Sequence, residues 1–341
     1  MKPHLLTIAI PTYNRPEQLQ NTLRVILPQV VSDERVRLLV LDNHSATSAQ
    51  QVYDALAIEE VGERVEIIRN KVNIGGNANI MRCFEMCETS WLWVLGDDDA
   101  PSPNAVKIIL QDIHVEHCFA FYTVPEIMKP AFKANNPDHR VFGNDFETLI
   151  SHFGTDKLEI AFLSASVFNM DAIRPYIIDG YLVANTGIPH LMMVFKALAQ
   201  GYLWMLSKEV IADYCPPKEA QGWGFMSIVF SMPTLLGLAS TNSDIRVIRK
   251  IMIKGWRPSP KKILYSLTNK YWRASGGSDD IRYLFRTIKN TYAPTWAEDA
   301  MLRFRWNISS VLSHFPKTFS ENYKKRKDGK AQINLENKSR R

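Results

Sequence analysis

Short apolar runs and amphipathic stretches alternate along the first third of the chain. Residues 5–10, 36–41, 65–68, 91–95 and 119–124 are compact runs rich in β-branched and aromatic side chains, bounded by Pro, Asn, Asp or Gly. Between them, residues 16–29, 48–60, 77–87 and 103–116 place apolar residues at helical spacing. Runs that are apolar at nearly every position suit strands covered on both faces. The pattern therefore predicts an α/β fold with a Rossmann-like, mostly parallel sheet, in which ligands bind at the carboxyl ends of the strands.

Further along, residues 125–144 are irregular and rich in Pro, Asn and Lys, and read as a loop or lid. A strand over 161–168, a helix over 187–200 and a strand over 202–214 follow, before a mostly helical C-terminal third. Within it, Ala297, Met301, Phe304, Ile308, Val311, Leu312 and Phe315 recur at three and four, which predicts an amphipathic helix over 296–315. Residues 317–341 contain Lys324-Lys-Arg-Lys327 and few apolar side chains, so they read as a disordered basic tail. The expected organisation is one catalytic domain over 1–215, with halves 1–124 and 125–215. A basic helical region over 216–316 and the tail complete it.

The net charge of +6 hides an asymmetry. Residues 1–240 carry 18 Lys and Arg against 27 Asp and Glu, a net of −9, whereas 241–341 carry 23 against 8, a net of +15. The basic third suits a nucleic acid or anionic lipid headgroups as readily as a solvated helical surface. Tyr265, Tyr271, Trp272 and Tyr283 lie among the basic residues, yet aromatic side chains at such spacing are more often helix core than base-stacking platforms, and no nucleic-acid partner is expected. Four cysteines, Cys83, Cys87, Cys118 and Cys215, are too few and too irregularly spaced for a disulfide framework or a zinc site. No run reaches the roughly 18 apolar residues of a membrane span, and the N-terminal apolar stretch is too short for a signal peptide. A cytoplasmic location is the expectation.

The candidate chemistry lies where strands end. Asp97, Asp98 and Asp99 follow the apolar run 91–95 and Gly96, and clustered carboxylates relieve their mutual repulsion by holding a divalent cation, with a solvated acidic loop as the bland alternative. Asp42 can accept hydrogen bonds from a base or ribose and Asn43 adds a donor and an acceptor, although Asp-Asn also favours a simple turn. Gly75-Gly76 permits close backbone approach to a ligand or supplies a turn. After the first strand stands Pro11-Thr-Tyr-Asn-Arg15, not the glycine-rich fingerprint of a dinucleotide site, and no P-loop is found.

Four motifs in this order, Ile8-Ala-Ile-Pro-Thr-Tyr-Asn-Arg15, Leu39-Val-Leu-Asp-Asn-His-Ser45, Arg69-Asn-Lys-Val-Asn-Ile-Gly-Gly76 and Trp93-Val-Leu-Gly-Asp-Asp-Asp99 with Pro103-Asn104, resemble glycosyltransferase family 2. The resemblance implies a GT-A fold with a helical C-terminal extension. It also implies a metal-assisted, inverting transfer of a hexosyl or deoxyhexosyl group from a nucleotide-diphosphate sugar to a hydroxyl. Pro11, Thr12, Asn14, Arg15, Asp42, Asn43, Asn73, Gly75 and Asp97 would line the donor pocket. Asp98 and Asp99 would hold Mg²⁺ or Mn²⁺ at the family's Asp-x-Asp motif, whose usual first Asp is Gly96 here. Asp99 is also a candidate catalytic contact.

An inverting transfer needs a general base. The window where the family usually carries an acid reads Asn185-Thr-Gly-Ile-Pro-His-Leu-Met192, whose only titratable side chain is His190, with Asp179 and Asp171 in reserve. The acid motif and the Asn-rich loop look like those of bacterial enzymes of O-antigen, capsule or lipopolysaccharide assembly, including abequosyltransferase-like and rhamnosyltransferase-like members. That likeness implies a glycan or lipid-linked glycan acceptor, which a basic C-terminal third would meet at an anionic membrane surface, each basic residue adding about 1 kcal/mol. The rival readings are a nucleotidyltransferase, whose glycine-rich basic loop is missing, and a non-catalytic nucleotide-sugar-binding protein.

Overall fold

The computed structural model describes residues 4–57, 62–125, 140–153, 159–215 and 232–250, with the isolated positions 300 and 304. Met1–Trp256 form one compact unit and Arg257–Arg341 a second. The expected amphipathic helix over 296–315 and the basic tail lie almost wholly outside the described residues.

The alternation read from the sequence builds β1 (Leu6–Thr12), α1 (Pro16–Ser32), β2 (Val36–Asp42), α2 (Ala49–Asp54), β3 (Val65–Arg69), α3 (Gly76–Glu85) and β4 (Trp91–Val94). After β4 come β5 (Ala100–Pro101), α4 (Ala105–Asp112), β6 (Phe119–Tyr122), β7 (Arg140–Gly143), α5 (Phe146–Ser151) and β8 (Ser166–Asn169). The chain then forms α6 (Met170–Ile173), α7 (Ile177–Leu182), α8 (Pro189–Leu198), β9 (Trp204–Ser207), β10 (Ala212–Asp213) and α9 (Asn242–Lys250). Eight strands make one sheet in the order β3-β2-β1-β4-β8-β6-β9-β7, and β5 pairs with β10 apart from it. β1 to β4 are parallel, and β8 and β7 run against their neighbours. The sheet is therefore mixed, with a parallel half that carries the sequence motifs.

Local chemistry explains the boundaries. Pro16 opens α1, where its missing N–H has no partner to lose. Leu19, Leu23, Ile26, Leu27 and Val30 bury one face of that helix against β1 and β2, and full burial stabilises by about 1.5–3 kcal/mol per side chain. Ser48 and Gln51 form a reciprocal capping box at the start of α2, which stops at Asp54 instead of reaching residue 60.

Three other elements differ from expectation. Residues 140–143, read as loop, form β7, since their backbone pairs with β9 and Arg140 meets buried Asp112. Gly143 is required there because a Cβ would run into the Trp204 ring. Residues 161–168 are strand only from Ser166, since Ser166 Oγ bonds back to the Phe162 carbonyl and holds short 3₁₀ turns before it. The strand expected over 202–214 divides into β9 and β10. Among the described residues no helix is long and apolar enough to cross a membrane. Cys83, Cys87 and Cys118 are buried free thiols and Cys215 is exposed.

Candidate active site

Parallel pairing aligns the strand ends: Thr12 lies opposite Asp42, and Asp42 opposite Arg69. The loops that follow β1, β2, β3 and β4 therefore open on one edge of the sheet. Asn14 stitches the first two together, its N–H donating to Ser45 Oγ at 2.9 Å and its Oδ1 accepting from the Ala46 N–H at 2.8 Å. Asn14 and His44 both hold left-handed backbone, φ 52° and 68°. Such strain in non-glycine residues persists where the surroundings over-determine it.

Asp42, expected to touch the base or ribose, is fully buried. Its two oxygens accept the N–H groups of Ser45 (2.8 Å) and Ala49 (3.2 Å), and Arg69 stands 3.7 Å away. In this arrangement it shapes the loop. Asn43 is buried too: its Oδ1 accepts from Asn70 (2.9 Å) and the Ile74 N–H (3.0 Å), and its Nδ2 donates to Asn73 at 2.8 Å. Asn73 also accepts from the Gly75 N–H at 2.8 Å, and Gly75 at φ 87° turns the chain into α3. Asn70 donates to Asn79, which donates to the Leu41 carbonyl. This asparagine network leaves Asn14, His44, Asn73 and Gly75 exposed along the edge.

The three acids occupy different environments. Asp97 is buried, accepts from Thr12 Oγ1 at 2.7 Å and pairs with Arg15 at 2.9 Å. Burial pushes its carboxyl up, against the pull of Thr12 and Arg15. Asp98 is partly exposed and pairs with the same Arg15 nitrogen at 2.7 Å. Asp99 turns inward, accepting from Ser164 Oγ at 2.5 Å, and burial raises its carboxyl to about 7. A Cβ at position 96 would lie 2.5 Å from Asp99 Oδ2, so the family's usual first Asp would require the Asp99 side chain to turn away from its present position.

His190, expected as a base, lies near the start of α8 with only 2% of its surface exposed. Its ring packs edge-on against Phe168 at 6.1 Å, and burial pulls its pKa down to about 3. The structure thus brings together Pro11, Thr12, Asn14, Arg15, Asn43, Asn73, Gly75 and the acids, and puts His190 in the core. Ser164 was missed by sequence reasoning. It lies 65 residues from the acid it bonds, inside an apolar run, where no local pattern marks it.

Hard carboxylate oxygens at a strand end suit Mg²⁺ or Mn²⁺. Among the described residues no group of three or more such side chains forms a preformed cage. That still fits a cation held by one or two carboxylates that completes its shell with substrate phosphates.

Residues 7–176 match the family described as Glycosyl transferase family 2. Abequosyltransferase RfbV of Salmonella typhimurium is 27% identical over 105 residues, 31% of each chain, so the match spans under a third of that relative's length. Among solved structures, S. aureus TarS 1-349 in complex with UDP-GlcNAc aligns with a TM-score of 0.61 at 11% identity, over 94% of this chain and 92% of that one. Mannosyltransferase PcManGT from Pyrobaculum calidifontis, in complex with GDP-Man and Mn²⁺, aligns at 0.55 with 12% identity, over 92% and 87%. At such identities these structures speak for the fold alone. Through residues 7–176 the chain belongs to glycosyl transferase family 2, carried on a GT-A fold.

Proposed function

We propose that the protein transfers a sugar from a nucleotide-diphosphate donor to a hydroxyl of a surface glycan, with inversion at the anomeric carbon. The observation that carries this is the joining of all four family motifs at one edge of the parallel sheet. The donor would lie across Asn14, Asn73 and Gly75, with Asp42 and Asn43 holding the loop that meets its base and ribose. A divalent cation would be held by Asp98, with Asp99 beside it. When bound, it would supply Lewis-acid stabilisation of the departing diphosphate.

Of the two catalytic residues expected from the sequence, Asp99 suits the proton-accepting role. Asp99 lies at the strand-end edge with the motif residues and bonds Ser164, whereas the His190 imidazole packs in the core against Phe168, where burial pulls it down to about 3 and a proton would place a charge in the core.

The family resemblance and the abequosyltransferase relative support an acceptor among O-antigen or related polysaccharide intermediates. A lipid-linked acceptor would draw the protein to an anionic membrane, and the +15 charge of residues 241–341 supports that location. Co-sedimentation with anionic but not neutral vesicles at low salt tests the membrane contact.

A thermal-shift screen of UDP-, dTDP-, GDP- and CDP-sugars with and without Mn²⁺ tests the donor site, because a ligand specific to the folded state raises Tm by mass action. A metal-dependent shift with one nucleotide class is expected. No shift with any of them would overturn the donor reading.

A further inference from the structure

One nitrogen of Arg15, Nη1, stands between two carboxylates, 2.9 Å from Asp97 Oδ1 and 2.7 Å from Asp98 Oδ2. The two acids are not equivalent partners. Asp97 is buried and also receives Thr12 at its other oxygen, so it is anchored from both sides. Asp98 is partly open to solvent, with the Arg15 contact on its Oδ2. Arg15 itself immediately precedes α1 and retains 30% of its side-chain surface, so its guanidinium can reach ligand at the strand-end edge.

A point between two carboxylates is where any cation is best stabilised, and here a side chain already provides that charge. A divalent ion approaching Asp98 would meet a fixed positive charge and an acid whose oxygen is already paired. Relief requires a new anion for the guanidinium. A planar guanidinium binds phosphate oxygens as well as carboxylate oxygens, so a diphosphate can take Arg15 over.

We propose that Arg15 makes metal binding depend on the donor: it holds Asp98 in the free protein, and the donor's diphosphate draws it away so that Asp98 can accept the cation. Arg15 is then a positioning residue that couples two ligands, which goes beyond lining the pocket. The inference rests on the donor-site reading proposed above. Coupling of this kind is reciprocal, so the metal tightens nucleotide binding by the same factor that the nucleotide tightens metal binding. The free protein does not carry a tightly held cation, and metal and nucleotide enter as a pair.

The test is Mn²⁺ binding by the full chain, read from loss of the free-ion signal in electron paramagnetic resonance. It is titrated with and without UDP, dTDP, GDP or CDP, against matched nucleotide-only controls. Wild type is expected to bind Mn²⁺ weakly alone and at least about tenfold more tightly with one nucleoside diphosphate. Arg15→Gln is expected to bind Mn²⁺ several-fold more tightly than wild type without nucleotide, and to lose most of the coupling. Arg15→Lys keeps the charge as a single point contact and is expected to fall between the two, which covers the case in which the glutamine variant does not fold.

If neither folded variant gains Mn²⁺ affinity while wild type still binds metal with a nucleotide, the Arg15 inference is overturned and the donor site stands. If wild type binds no Mn²⁺ with any of the four nucleotides, the metal-assisted donor reading fails and the inference falls with it.

Discussion

Thr12 donates its hydroxyl to Asp97 Oδ2 at 2.7 Å, joining the ends of two adjacent parallel strands from positions 85 residues apart. Both side chains are buried, and Thr22 adds a bond to the Asp97 carbonyl at 3.0 Å. Thr12→Val keeps the shape and removes the donor, leaving a buried carboxylate with one fewer partner. The expected loss is about 1–3 kcal/mol of stability by urea denaturation, with Thr12→Ser close to wild type. Equal stabilities for all three proteins would show that the bond contributes nothing net.

Asp42 divides a structural from a ligand-contacting role. Its oxygens hold the Ser45 and Ala49 N–H groups, so Asp42→Ala strands two buried donors and releases the loop that carries Asn43 and His44. Stability is expected to fall by about 2–4 kcal/mol, with nucleotide affinity lost in step. Asp42→Asn, which keeps one acceptor, should fall between. Nucleotide binding lost at unchanged Tm would instead return Asp42 to direct contact with the ligand.

Two buried histidines make stability depend on pH. Burial lowers His117 to about 4 and His190 to about 3, against about 6.5 in an unfolded chain. The unfolded state therefore binds protons at pH values where the native state does not. Their contribution is complete above about 6.5 and is lost as pH falls toward 4 and then 3, amounting to a few kcal/mol for each histidine. Between pH 6.5 and 4 the two histidines lower the urea midpoint while the raised Asp99 acts in the opposite sense, and His190→Gln should make the midpoint fall less, or rise more, with acidification than in wild type. An unchanged slope in the variant would show that His190 does not titrate on unfolding.

The parallel half was legible because its strands are apolar on both faces and its helices carry local start signals. The runs 5–10 and 36–41 became Leu6–Thr12 and Val36–Asp42, and the motifs fell at their ends as their spacing required. What stayed hidden depends on contacts distant in sequence. Nothing around residue 140 announces β7, whose place is set by β9 and by the Arg140 pair with Asp112. Nothing in a run containing Ser164 marks it as the partner of Asp99. A histidine at a helix start reads the same whether it faces a ligand or Phe168, and only tertiary packing places His190 in the core. The Asp-Asn pair at 42–43 signalled a turn and a ligand site equally, and its hydrogen bonds to the Ser45 N–H and Asn73 were not legible in the local sequence.

Asp99→Asn separates stability from catalysis at one atom. Burial raises the native carboxyl to about 7, above the unfolded value of about 3.9, so the native state keeps its proton longer. The favourable contribution of this group is complete below about pH 4 and is lost as pH rises through about 7, leaving a buried negative charge that costs on the order of a few kcal/mol at pH 8. Asparagine is neutral, nearly the same shape, and still able to accept from Ser164 through its carbonyl oxygen. In metal-free buffer the variant is expected to melt several degrees higher than wild type at pH 8 and at the same temperature near pH 4. It should lose turnover by about 10²–10⁴-fold at saturating nucleotide sugar and metal, the usual contribution of a general base. Equal melting at pH 8 would show that Asp99 is an ordinary carboxylate, and retained turnover would place the base elsewhere. Raised stability together with lost turnover would mean that the fold keeps an unfavourable buried acid because the reaction needs a proton acceptor there.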